Sequence, residues 1–230
     1  MAAKPAALTR EILRALKRKG SKRNVDGMAR YGIVAPRVFG VSVATLRDMG
    51  KKYGRNHDLA LALWCTGWYE ARMLVPFVAE PARLTPAQMD RWTKDFDNWA
   101  ICDALCFHLY DKSPHAWAKV RTWSRRRDEF VKRAAFALLA SLALHDRKSP
   151  DAPFLEALPL VEKAAADERN FVKKGVSWAL RGIGHRSRPL HRAATRLATR
   201  LAASDDPAAR WVGKDALRDL SRPAVTRRFA

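Results

Sequence analysis

Cysteine is scarce in this chain: Cys65, Cys102 and Cys106 are the only three in 230 residues. None is spaced as CxxC, so neither a disulfide framework nor a paired zinc-ligand motif is present, and a reducing cytoplasm is the default setting. Long apolar runs are missing too. The first twenty residues, MAAKPAALTREILRALKRKG, carry charge from Lys4 onward with no apolar leader core, and no later stretch approaches the ~20 apolar residues of a membrane span. A soluble, untargeted chain with no membrane partner is therefore expected. The phosphate-loop pattern GxxxxGK[ST], a GxGxxG after a strand, HExxH and GxSxG are all absent, which removes support for nucleotide hydrolysis and zinc proteolysis. Cys102, Cys106 and His108 lie close together but lack a fourth ligand, and two cysteines one turn apart on an apolar helix read as buried thiols.

Negative charge is the other shortage. Only 23 Asp and Glu oppose 44 Lys and Arg, giving a net charge of +21 and a pI near 10.7. The excess is +8 up to residue 115 and +13 after it, so it is spread over the body of the chain rather than held in a tail. Such a surface fits a polyanionic partner, nucleic acid first; an arginine-rich surface arising from base composition and solubility is the bland alternative. The length suits one domain, or one compact array of repeats, over residues 1–230. A monomer is the default state.

Apolar residues recur at helical spacing almost throughout, with breaks at Gly, Pro, Ser or Asp. The pattern predicts helices over Thr9–Lys19, Ser42–Tyr53, His57–Cys65, Trp68–Ala79, Pro86–Phe96, Asn98–Tyr110, Pro114–Arg125, Asp128–Leu144, Ala152–Ala165, Glu168–Ile183, Pro189–Ala202 and Pro207–Leu220. No convincing strand emerges. Phe130-Val131-Lys132-Arg133-Ala134-Ala135 aligns with Phe171-Val172-Lys173-Lys174-Gly175-Val176 at an offset of 41, and Ala179-Leu180-Arg181 with Ala216-Leu217-Arg218 at 37. Those periods are characteristic of HEAT and armadillo repeats, in which stacked helix pairs bury their apolar faces against neighbours. The expected fold class is all-α: a HEAT/armadillo-like superhelix of antiparallel helix pairs with a concave basic groove.

Two helices carry the chemistry. On a wheel of Asn98–Tyr110, Ile101, Leu105 and Leu109 form one apolar stripe while Trp99, Asp103 and Tyr110 gather elsewhere. Taken alone, that face is better read as a packed tryptophan and an arginine-paired aspartate. In Glu168–Ile183 the core stripe leaves Lys174, Trp178 and Arg181 together at its edge, a tryptophan beside two cations, as on nucleic-acid surfaces. The preceding repeat has Arg133 in the place of Lys174, and Ala137 and Ala140 in the other two, small enough for a DNA backbone to come close. Interhelical packing of Trp178 stands beside ligand contact as an equal reading.

These segments resemble the bacterial HEAT-repeat alkylpurine DNA glycosylases of the AlkD type, the DNA alkylation repair enzymes. The resemblance runs through Met28-Ala29-Arg30-Tyr31, Phe39-Gly40-Val41, Leu63-Trp64, Asn98-Trp99-Ala100-Ile101-Cys102-Asp103, Lys132-Arg133-Ala134-Ala135 and Gly175-Val176-Ser177-Trp178-Ala179-Leu180-Arg181. It implies that Trp99, Asp103 and Trp178 are the catalytic set, that Tyr31 lines the same cleft, and that Arg133 and Arg181 hold the DNA backbone; Lys174 joins them on the repeat argument. The chain departs from the family pattern beside Trp99, where it has Asn98 and Ala100.

The resemblance further implies excision of cationic N3- and N7-alkylated purines from duplex DNA in base excision repair at the nucleoid, with no metal and no organic cofactor. Such bases are poised to leave, so the remaining task is to stabilise a cationic sugar. Asp103 would oppose that charge and position a water, with Trp99 and Trp178 packing on the deoxyribose. Most glycosylases flip the base into a pocket, whereas this family works from the backbone side with the lesion still stacked. Two other readings use the same charge: a non-catalytic repeat module that binds branched or damaged DNA, or RNA, and a scaffold for an acidic protein. Asp103 separates the first from the glycosylase, and the scaffold gives Trp99, Asp103 and Trp178 no shared role.

Overall fold

The computed structural model describes residues 5–229, and among them there are fourteen α-helices, two short 3-10 turns and no strand. The chain divides into two compact units, Met1–Pro114 and His115–Ala230.

The first unit contains α1 (Pro5–Lys19), α2 (Lys22–Ala29), α3 (Val43–Tyr53), α4 (His57–Cys65), α5 (Tyr69–Val78), α6 (Pro86–Lys94) and α7 (Trp99–His108). Several begin where a side-chain oxygen takes up a free helix amide: Ser42 accepts from Thr45 N at 3.2 Å, Asn56 from Leu59 N at 2.9 Å and Thr85 from Gln88 N at 3.1 Å. Gly54 stops α3, its amide donating to Gly50 O at 3.0 Å. Central α5 packs against α3, α4 and α7, and Leu16, Leu46, Leu63, Leu74, Ile101 and Leu105 are fully or almost fully buried around it. Trp92 of α6 stacks on Trp64 of α4, with ring centroids 4.9 Å apart.

Most helix ends shift by a residue or two from the sequence expectation, and three larger differences have physical reasons. Helix α1 starts at Pro5, and Thr9 Oγ1 bonds back to Pro5 O at 2.8 Å, so Thr9 is one turn inside rather than the start. Eight-residue α2 was not anticipated: its large apolar residues are Val25 and Met28 alone and it buries none, too short a stripe to read. The helix expected over Asn98–Tyr110 ends at His108, because Leu109 leaves helical geometry at φ −137°. Tyr110 then falls in a 3-10 turn with its ring fully buried, away from the face of Trp99; burial pushes its phenol pKa up.

The second unit is a stack of three helix pairs: α8 (Ala116–Trp123) with α9 (Glu129–His145), α10 (Ala152–Ala164) with α11 (Asn170–Gly184), and α12 (Arg188–Ala202) with α13 (Pro207–Leu220), followed by α14 (Pro223–Thr226). Helices α9, α11 and α13 form one layer, α11 packing on both others. Repeat-equivalent Phe130 and Phe171 touch, ring centroids 5.4 Å apart, as a true 41-residue period requires. Close approach of α9 and α11 uses glycine: a Cβ added at Gly182 would lie 3.4 Å from Ala140 Cα. The small residues Ala137 and Ala140, expected to admit a DNA backbone, are therefore buried at 0 % and 2 % exposure, and the backbone that Ala140 admits is that of α11.

Candidate nucleic-acid interface

In the first unit the site is built on the start of α7. Asn98, buried at the cap position, accepts from Ala100 N at 3.0 Å and Ile101 N at 3.1 Å. The departure from the family pattern at Asn98 thus serves as the helix cap. Trp99 follows as the first helical residue and Asp103 comes one turn later on the same face; both keep partial solvent exposure. The Trp99 indole is fixed by a 2.9 Å bond from its Nε1 to Tyr31 O, and the Tyr31 side chain is 74 % exposed. Trp99 and Tyr31 border an open cleft of about 1020 Å³, walled by α2, residues 31–43 and α5.

The loop that forms one wall is held by a buried carboxylate. Glu70, with no solvent exposure, accepts from Phe39 N at 3.0 and 3.1 Å, Gly40 N at 2.7 Å and Val41 N at 3.2 Å. Gly40 sits at φ +82°, and a Cβ there would lie 2.2 Å from Ser21 O, so only glycine fits this turn. Phe39 stacks on Trp68 at 3.9 Å between ring centroids. Neighbouring Tyr69 closes the floor, its phenol pKa pushed up by burial and then by Glu70 and Asp97.

In the second unit, Lys174, Trp178 and Arg181 lie at i, i+4 and i+7 on α11, Lys174 exposed and the other two partly so. Arg181 reaches Asp215 at 3.7 Å, an acid that also accepts from Ser177 Oγ at 2.6 Å and pairs with Arg218. Trp178 and Arg181 line a cleft of about 290 Å³ together with Arg147, His185, Arg186 and Arg228. Its one acid, Asp219, pairs with His185 at 2.6 Å and with Arg222 at 2.5 Å.

Arg133 is not among these surface cations. It is 6 % exposed, its Nη1 donates to Phe171 O at 2.7 Å, and its aliphatic stem lies 3.5 Å from where a Cβ of Gly175 would be. Its repeat partner Lys174 faces out, whereas α11 covers Arg133. Arg133, expected to hold the DNA backbone, links α9 to α11 through its bond to Phe171 O. Lys22, Arg23 and Arg30 around the first cleft, and Arg147, His185 and Arg228 around the second, were not singled out from sequence. The first three belong to the unanticipated α2 and its end; the others stand at or beyond helix ends, where periodicity says nothing of direction.

The model of the DNA alkylation repair enzyme family matches residues 12–220, nine-tenths of the chain. The chain belongs to the DNA alkylation repair enzyme family. The match runs through both units and includes Tyr31, Trp99, Asp103, Arg133, Lys174, Trp178 and Arg181. Among solved structures, this DNA alkylation repair family member is similar at 20 % identity and a TM-score of 0.73, over 91 % of this chain and 94 % of the other, to a structure described as a new family of proteins related to the HEAT-like repeat DNA glycosylases with affinity for branched DNA structures. That likeness establishes the HEAT-like repeat fold. No curated protein matches the chain.

Proposed function

We propose that this protein is a monofunctional DNA glycosylase that excises cationic N3- and N7-alkylated purines from duplex DNA. The observation that carries the reading is the face of α7, where Trp99, its indole locked to Tyr31 O, is followed one turn later by the partly exposed carboxylate of Asp103. An alkylated purine already bears positive charge, so breaking its glycosidic bond needs little protonation of the leaving base. What rises in energy is the sugar, which becomes cationic. A fixed carboxylate opposes that charge and orients the attacking water, and indole π faces favour a cation beside them. On the second unit, Trp178 shares one face of α11 with Lys174 and Arg181, an aromatic and two cations of the kind that bind a DNA backbone. This chemistry uses no metal or cofactor.

The test is Asp103→Asn. Losing the negative charge at a preorganised site should slow excision of N7-methylguanine or N3-methyladenine by on the order of a hundredfold, ~3 kcal/mol, with duplex binding retained. Single-turnover rates at saturating protein measure it, with binding followed on the same duplex. Excision by the variant at the parent rate would make Asp103 a structural acid.

A second reading is favoured by one observation, the affinity for branched DNA described for the similar solved structure. On that reading the chain is a non-catalytic module that recognises damaged or branched DNA, or RNA, by charge and shape. The same experiment separates the two: parent and variant would both bind, and neither would release a base.

A further inference from the structure

The cleft beside Trp99 is larger than a contact with the DNA backbone requires. Its volume of about 1020 Å³ is at the upper end for a site that encloses a whole small molecule. Its lining divides into three chemical parts. Met28, Ile33, Val41, Val43 and Met73 supply an apolar floor. Lys22, Arg23 and Arg30, all exposed, supply cations against the single acid Asp26. Tyr31, 74 % exposed, and Trp99 supply aromatic surface. Because the one polar atom of the Trp99 side chain is already spent on Tyr31 O, that ring offers a π surface and no hydrogen bond.

We infer that this cleft receives an unpaired nucleotide of DNA, its base on the apolar and aromatic lining and its phosphates against Lys22, Arg23 and Arg30. A base has an apolar face that stacks on any aromatic ring, whatever its identity, and its backbone carries the negative charge that three cations match. Of the amide and hydroxyl side chains in the lining, Asn24 gives its Nδ2 to Gly40 O and Ser42 uses its Oγ at the start of α3, so the site selects for an unpaired base rather than for a sequence. The cleft is fixed in shape before any ligand arrives: Glu70 holds the wall at Phe39, Gly40 and Val41, and Asn24 Nδ2 ties α2 to Gly40 O at 2.8 Å. The inference rests on reading the chain as a DNA-binding protein and is independent of whether it cuts a glycosidic bond.

Gly27 provides the test. It borders the cleft from α2, and a Cβ added there meets no atom within 4 Å, so Gly27→Phe starts its side chain in open space at the edge of the cleft. Two duplexes of equal length are compared by fluorescence anisotropy, one fully paired and one carrying a single unpaired 2-aminopurine. The parent should bind the bulged duplex about tenfold more tightly, as expected when one base stacks on protein, with a change in 2-aminopurine emission. Gly27→Phe should bring the ratio close to one, chiefly by weakening binding of the bulged duplex, and Tyr31→Ala should lower it as well. Circular dichroism checks that each variant is folded. Equal binding of the two duplexes by the parent, or a full preference kept by Gly27→Phe, overturns the inference and leaves the cleft to another class of ligand, such as an acidic peptide. Failure of the parent to bind either duplex removes the DNA reading itself, an outcome the paired control makes distinct.

Discussion

The indole Nε1 of Trp99 donates a 2.9 Å hydrogen bond to the main-chain oxygen of Tyr31, joining positions 68 residues apart in the chain. This bond fixes the ring on which the proposed chemistry depends and ties the segment after α2 to α7. Trp99→Phe keeps an aromatic ring but removes the donor. Since the bond is solvent-exposed, the loss in stability should stay below about 1 kcal/mol. Amide exchange at Gly32 and Ile33, whose own bonds run back to Ala29 and Met28, should quicken nonetheless. Unchanged exchange there would show that the segment is held by other contacts.

Glu70 gives a larger effect. Its carboxylate accepts from three successive amides of the loop 39–41, and glutamine offers one acceptor and a donor that opposes them. Glu70→Gln should cost about 2–3 kcal/mol in urea unfolding. A cost near zero would mean that the Phe39–Trp68 stack alone secures the loop.

Asp167 sets an acid limit for the second unit. Its hydrogen bonds to Arg169, with further support from Lys132, hold its carboxyl well below the usual carboxylate range; the contacts are 2.6 and 2.8 Å. A pKa lowered by folding contributes stability that is complete above the unfolded value, near 3.9, and declines as pH falls below it. Asp167→Asn should therefore destabilise by roughly 1–3 kcal/mol at pH 7, and its difference from the parent should narrow below about pH 4. A difference that is the same at pH 3 and pH 7 would rule out the ion pairs as its source.

Salt dependence distinguishes the surface cations from the buried one. Contact with ~4 to 6 phosphates gives a log–log slope of about −4 to −5, and removing one contact flattens it by about one. Lys174→Ala and Arg181→Ala should each do so. Arg133→Ala should lower stability and leave the slope unchanged, because its guanidinium is committed to Phe171 O. A flattened slope in a fully folded Arg133 variant would return it to the interface.

Helix positions and the 41-residue repeat were legible because burial imposes the 3.6-residue period; His57–Cys65 and Pro207–Leu220 coincide with the expectation residue for residue. Trp99 and Asp103 on one face of α7, and Lys174, Trp178 and Arg181 on one face of α11, follow from the same spacing. Arg133 and Lys174 show that equal register in two repeats does not mean equal exposure, which the repeat pattern could not tell: α11 lies over Arg133, while Lys174 is exposed. The cleft at α2 was invisible for the opposite reason. Its walls are an eight-residue helix and an irregular loop, shaped by Glu70 and Gly40 from elsewhere in the chain, and no local pattern records such long-range bonds.

Contact between Phe130 and Phe171 also sets a timetable for biosynthesis. Helix α9 leaves the ribosome 41 residues ahead of the ring that covers Phe130, an interval of roughly 2–8 s at ~5–20 residues per second. Throughout it, the side of α9 that includes Phe136, Ala140 and Ala143 has yet to meet Gly175 and Gly182. The nascent second unit must therefore emerge with an uncovered apolar wall, and this is the stage at which a chaperone has something to hold.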